Sequence, residues 1–215
     1  MADYSERYPL LVRLAPKLEQ LLGDYLEGIP HIDRISARAK DPERFNTKAT
    51  KVDEEGNRKY AAPLDQIQDQ IGARIIVFYL DDVAVVRTVM ERYFRRVEGR
   101  ELIPEDHWAF GYFGYHWVFP LPQDLVPEND EAETYPRFFE LQVKTLFQHA
   151  WSEANHDLGY KSPQPLTPLQ QRRFAYTAAQ AWGADRVFDE LRTEILAGDG
   201  GPSNNLDTNR TGRTN

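Results

Sequence analysis

Apolar and polar residues alternate from Phe139 through Lys144. This predicts a strand with Phe139, Leu141 and Val143 facing a core and Glu140, Gln142 and Lys144 on the opposite side. The polar face thus reads acid, amide, base. A helical pattern follows directly, and the helix and its exit carry Trp151, His156, Tyr160 and Lys161. A second run, dense in β-branched and aromatic residues from Arg74 to Leu80, predicts a central strand with Asp69 at its entrance. In FGYFGYHWVF, Gly111 and Gly114 interrupt an aromatic stretch that ends as another strand. Near the start, YPLLVRLAPKLEQLLGDYLEGI has amphipathic helical periodicity, disturbed at Pro16 and ending near Gly28, and is expected to cover the sheet. Pro168 to Leu196 gives a long helical pattern with Phe174, Ala178, Trp182, Val187 and Leu191, broken near Gly183, fit for packing or for a subunit interface. The expectation is an α+β fold with a mixed β-sheet of about five strands flanked by helices.

A single domain over residues 1–197 accounts for these elements. The Gly-, Asn-, Ser- and Thr-rich tail at 198–215 lacks the apolar content to fold and is expected to be disordered. Lys51 to Arg58 is expected to form a mobile loop and Pro122 to Pro136 an acidic connector, both ordering on ligand binding. The chain of 215 residues has no cysteine, which excludes disulfides and thiolate metal sites, and its five histidines lack zinc spacing. With no apolar run long enough for a membrane span and no basic, apolar leader, a cytoplasmic location is expected.

Charge changes the picture at one place. The chain carries a net charge of −8, yet Arg34 to Lys51 holds six basic residues against two acids. Such concentration in an acidic protein focuses an anionic ligand, although a solvated basic face has the same signature. Arg38 and Lys40 point one way if the segment is extended, and Lys48 and Lys51 lie three apart on a helix that Pro42 begins.

Asp69-x-x-Gly72-x-Arg74 places an acid, a glycine permitting close approach and a fixed guanidinium around the second strand. Asp69 and Glu140, from different strands, can share a Mg²⁺ ion, which takes one or two carboxylates plus substrate phosphates. A turn-capping Asp69 and an ordinary ion pair for Arg74 remain open at this point. Tyr112, beside Gly111, is the aromatic expected to offer its face to a base, whereas Phe110, Phe113, Trp117 and Phe119 are expected in the core.

Taken in order, these four elements resemble the synthetase domain of the RelA/SpoT family, the enzymes that make the alarmones ppGpp and pppGpp; the likeness spans about residues 30 to 162. Arg38-x-Lys40 and Lys48 resemble the family's ATP-binding strand and helix, and Asp69-x-x-Gly72-x-Arg74 its first metal-site motif. Gly111-Tyr112 with His116 resembles the loop whose tyrosine stacks on guanine. Glu140-x-Gln142-x-Lys144-Thr145, with Trp151, His156, Tyr160 and Lys161, resembles the second acidic motif and its helix. Arg44 stands where serine is common, Gly114 where a small hydroxyl residue is frequent, and Lys144 where arginine is usual. RFxxKA, QDQIGARI and QHAW followed by HDL look most similar to the small stand-alone synthetases. His156-Asp157 does not indicate the family's metal hydrolase domain, which needs several spaced His and Asp residues upstream.

The resemblance implies a nucleotidyltransferase-like fold and an ATP-dependent pyrophosphokinase that transfers pyrophosphate to the 3′-hydroxyl of GDP or GTP and releases AMP. Arg38, Lys40, Arg44, Lys48 and Lys51 would hold ATP, and Arg74 would neutralise charge as the bond to AMP breaks. Asp69 and Glu140 would bind Mg²⁺, with Glu140 also the general base. Tyr112, His116, Gln142, Lys144 and His156 would bind the acceptor. Some small synthetases are toxins, so the same chemistry on the tRNA 3′ CCA end or on adenosine nucleotides is a second reading, with an antitoxin and a homo-oligomer as further partners. A non-catalytic alarmone-binding or partner-binding module is a third.

Overall fold

The structure, a computed structural model, describes residues 4–101, 110–112, 114–128, 130–160 and 164–198. In chain order the elements are α1 (Tyr4–Tyr25), β1 (Ile32–Ala39), α2 (Pro42–Ala49), α3 (Pro63–Gln66), β2 (Ile71–Val77), α4 (Leu80–Tyr93), β3 (Glu98–Glu101), β4 (Tyr115–Pro120), β5 (Phe138–Thr145), α5 (Leu146–Asn155) and α6 (Pro168–Gly198). The five strands form one mixed sheet in the order β1-β2-β5-β4-β3, in which only β2 and β5 run parallel. The expected α+β architecture with a five-stranded sheet is therefore present.

Alternation decides which face is core. Ile71, Ala73, Ile75, Val77, Phe139, Leu141 and Val143 are buried in one cluster with Leu11, Leu14, Leu18 and Leu22 of α1 and Val83, Val86 and Met90 of α4. The intervening residues of the same strands point to the other face.

Several boundaries differ from the sequence reading. The central strand starts at Ile71 and stops at Val77, while Leu80 opens α4. The Asp82 carboxylate accepts the Tyr79 N–H at 3.1 Å, which starts a helix inside what reads as a β-rich run. Pro16 does not break α1: its missing N–H unpairs the carbonyl of Val12, a residue 48% exposed, where water can replace the bond. Nor does Gly183 interrupt α6, where a glycine costs only about 1 kcal/mol relative to alanine. Lys51 to Arg58 forms a closed turn, bridged between Val52 and Arg58, with Asp53 accepting the N–H groups of Glu55 and Asn57. The stretch from Pro122 to Pro136 contains two short 3₁₀ turns. The expected disordered tail lies, apart from Gly198, outside the described residues. Among the described residues no helix is long and apolar enough to cross a membrane.

Candidate functional site

Strand register assembles the site. Arg38 pairs with Gly72 and Gly72 with Glu140, forming one row across β1, β2 and β5. Two residues along, Ser36, Arg74, Gln142 and His116 form the next row on the same face. A Cβ on Gly72 would meet only the Glu140 carbonyl at 3.8 Å, an ordinary contact. The glycine is thus not demanded by crowding; it leaves the floor open between Arg38 and Glu140. Over these rows lies a cavity of about 600 Å³ whose lining includes Arg38, Lys40, Arg44 and Arg74 together with Asp41, Asp69 and Glu140.

Asp69 sits in the 3₁₀ turn that leads into β2. Its Oδ2 receives Lys40 Nζ at 2.8 Å and Lys48 Nζ at 3.0 Å. Its Oδ1 is buried with no hydrogen-bond partner among the described residues. Lys48 reaches this point because α2 is pinned: Asp41 caps it by accepting the Glu43 and Arg44 N–H groups, and Phe45 stacks on Tyr4 at 3.8 Å. The Tyr4 hydroxyl in turn donates to the Lys40 carbonyl at 2.6 Å.

Glu140 has both oxygens engaged. His116 Nδ1 lies 3.1 Å from Oε1, and Gln142 Nε2 donates to Oε2 at 3.0 Å. Burial alone would raise its pKa, but the His116 contact, the Gln142 hydrogen bond and the Lys48 charge outweigh it and hold the carboxyl at about 2. These contacts favour the ionised carboxylate.

Arg74 is fixed by α5. Its guanidinium donates to Glu153 Oε1 at 2.7 Å and to Gln142 Oε1 at 3.2 Å, with His149 Nδ1 at 3.4 Å. Burial lowers the His149 pKa and the Arg74 charge lowers it further. Burial would raise the Glu153 pKa, but Arg74 brings it below the usual carboxylate range. Sequence reasoning missed His149 and Glu153; their four-residue spacing on one helix face is the signal that could have found them.

Four of the expected site residues, and one residue expected in the core, are placed differently from the sequence reading. Lys51 lies beyond the end of α2, exposed and outside the cavity lining, because the helix stops at Ala49. Lys144 is only 5% exposed and does not line the cavity: its Nζ donates to Ser152 Oγ at 2.8 Å. Burial, followed by the Arg74 charge, brings the Lys144 pKa down to about 8. His156 begins a short π-turn after α5 and is likewise outside the lining. Tyr112 is 8% exposed rather than an open platform, and Phe110, expected in the core, is 45% exposed. Lys161 and Phe113 fall outside the described residues. Trp117 and Phe119 are core, as expected.

Gly114 explains one departure from the family pattern. Its φ is +88°, and a Cβ there would come within 2.8 Å of both the Val143 carbonyl and Lys144 Cγ. Gly114→Ser is expected to destabilise the fold by about 1–3 kcal/mol, read as a lower thermal midpoint by circular dichroism. An unchanged midpoint would mean that this corner relaxes freely.

The sequence pattern of the region found in RelA / SpoT proteins matches residues 37–165. The chain belongs to the RelA/SpoT family. Within the family, GTP pyrophosphokinase YjbM of Bacillus subtilis (strain 168) is 28% identical over 179 residues, covering 81% of this chain and 78% of that protein. Among solved structures, a GTP pyrophosphokinase family protein from Streptococcus pneumoniae superposes with a TM-score of 0.73 at 22% identity, covering 92% of this chain and 97% of that one. Small alarmone synthetase 1 from Bacillus subtilis, bound to its product pppGpp, gives 0.66 at 24% identity over 90% and 96%. At these identities the structural likenesses establish a shared fold.

Proposed function

We propose that this chain is a pyrophosphokinase that transfers the β,γ-pyrophosphoryl group of ATP to the 3′-hydroxyl of GDP or GTP. One observation carries the reading. A single cavity gathers Arg38, Lys40, Arg44 and Arg74 around Asp69 and Glu140, and one carboxylate oxygen of Asp69, Oδ1, is buried without a hydrogen-bond partner among the described residues. Four cations suit a triphosphate, and arginines match phosphate oxygens in a bidentate way. The family membership and the named activity of the Bacillus relative point the same way.

The residues present fit Mg²⁺. Asp69 Oδ1 lacks any competing hydrogen bond, while Glu140 would have to exchange Gln142 or His116 for a metal bond. Among the described residues no three His, Cys, Asp or Glu side chains form a metal cage, so the remaining ligands would be phosphate oxygens and water. When bound, the ion supplies charge neutralisation on the transferring phosphates.

In the reaction the 3′-oxygen bonds to the β-phosphorus of ATP as the bond from that phosphorus to the AMP oxygen breaks. Glu140 receives the hydroxyl proton, the incoming hydroxyl displacing one of its present donors. Arg74, held by Glu153, faces the negative charge that builds on the leaving AMP. Arg38 is exposed in the cavity with no ion pair among the described residues and is assigned to the ATP phosphates with Lys40 and Arg44, joined by Lys48, which is not in the lining but reaches Asp69 at 3.0 Å. Changing Arg38 or Lys40 to Ala is expected to weaken ATP and other nucleoside triphosphates alike, by a factor that shrinks at high salt. Titration calorimetry at two ionic strengths reads this, and unchanged ATP affinity would reduce the basic segment to a solvated face.

Incubation with labelled ATP and separate pools of GDP, GTP, adenosine nucleotides and tRNA tests the acceptor. Product from GDP or GTP is expected. Modification of tRNA 3′ ends or adenosine nucleotides with none from the guanine pools would overturn the acceptor while leaving the chemistry in place. Binding without any transfer would favour a non-catalytic module.

A further inference from the structure

The family resemblance implies that Tyr112 stacks on the acceptor base, yet the residue is only 8% exposed. It packs with Trp151 and Ala178, with Phe147 and Ala181 at the edge, in a small core separate from the main one. Helix α6 makes half of this core: Trp151 Nε1 lies 3.3 Å from the Phe174 carbonyl and 3.2 Å from Thr177 Oγ1. A stacked base needs an open ring face, and this packing leaves little of Tyr112 exposed.

Asp185, on the same helix, closes the arrangement. The Tyr112 hydroxyl donates to Asp185 Oδ2 at 2.6 Å, and Thr145 Oγ1 donates to that same oxygen at 2.5 Å. Asp185 is 1% exposed, and its Oδ1 is buried without a hydrogen-bond partner among the described residues. A carboxylate buried in this way is costly unless its partners matter. Thr145 is held independently as the N-cap of α5, accepting the Gln148 N–H at 3.1 Å. If Tyr112 leaves, Asp185 therefore keeps one hydroxyl donor and is not stranded.

We propose that Asp185 is a latch on the acceptor site: it holds the Tyr112 ring in a closed position, and acceptor binding requires the tyrosine hydroxyl to leave Asp185 so that the ring turns a face to the base. This rests on the proposed acceptor chemistry and on the stacking role that the family resemblance implies for Tyr112. The closed position lowers the population competent for the acceptor without touching the ATP cavity, whose lining contains neither Tyr112 nor Asp185. Apparent acceptor affinity falls in proportion to that population.

The test uses the full chain with GDP as acceptor probe. Tyr112→Phe removes the latched hydroxyl and keeps the ring, while Asp185→Ala removes the carboxylate. Each is expected to lower the KM for GDP by about three- to tenfold with ATP affinity unchanged, and the double variant is expected to fall no further. Amide hydrogen exchange in peptides covering Tyr112 should quicken in both single variants, a readout that needs no acceptor. Should Asp185→Ala fail to fold, Tyr112→Phe decides. A parental or raised KM for GDP in Tyr112→Phe, or unchanged exchange around Tyr112, overturns the latch, since a residue that merely positions the ring would raise KM when lost. Parental KM for GDP in Tyr112→Ala would instead overturn the stacking role itself.

Discussion

Glu140→Gln is expected to reduce turnover by about 10²- to 10⁴-fold while leaving ATP affinity close to that of the parent protein. The amide keeps the shape of the side chain and its place on β5, but it cannot accept the 3′-hydroxyl proton and carries no charge for a metal ion. Glu140 is ionised far below neutral pH, because His116, Gln142 and Lys48 overcome the effect of its burial. An acidic limb in the kcat/KM profile, which reads the free protein, should therefore not come from this group. Single-turnover assays with saturating ATP would read the effect. Turnover within threefold of the parent would remove Glu140 from its role as base and ligand.

Asp69→Asn is also expected to separate turnover from binding. Its carboxylate holds Lys40 and Lys48 at 2.8 and 3.0 Å, so losing the charge releases two ammonium groups toward the triphosphate. ATP measured by calorimetry in the presence of a chelator should bind at least as tightly as to the parent. Turnover with Mg²⁺ should nonetheless fall by about 10²- to 10³-fold, the usual loss when one preorganised electrostatic partner of the transition state is removed. Parallel loss of binding and turnover would show instead that Asp69 only organises the lysines.

Much of this site is legible in the sequence because it depends on strand alternation. Once Phe139, Leu141 and Val143 face the core, Glu140 and Gln142 must share the other face, and the register brings Arg38 and Arg74 onto it. The grouping of Lys40, Lys48 and Asp69 follows from a short strand, a Pro-initiated helix and a turn, all with local signals. What the sequence hides are contacts made by distant elements. Nothing near Tyr112 announces that Asp185, 73 residues along, will accept its hydroxyl. Lys144 sits on the expected face, yet α5 folds over it and offers Ser152, so burial overrides an alternation that reads as solvent-facing. The persistence of α1 through Pro16 and of α6 through Gly183 reflects the same limit, since tertiary packing and solvent compensate local breakers whose effect is small.

Product stoichiometry tests the central claim most directly. With adenine-labelled ATP, GDP and Mg²⁺, AMP and a guanosine nucleotide bearing a 3′-pyrophosphate are expected to accumulate one for one. ADP or inorganic phosphate appearing in place of AMP would contradict pyrophosphoryl transfer.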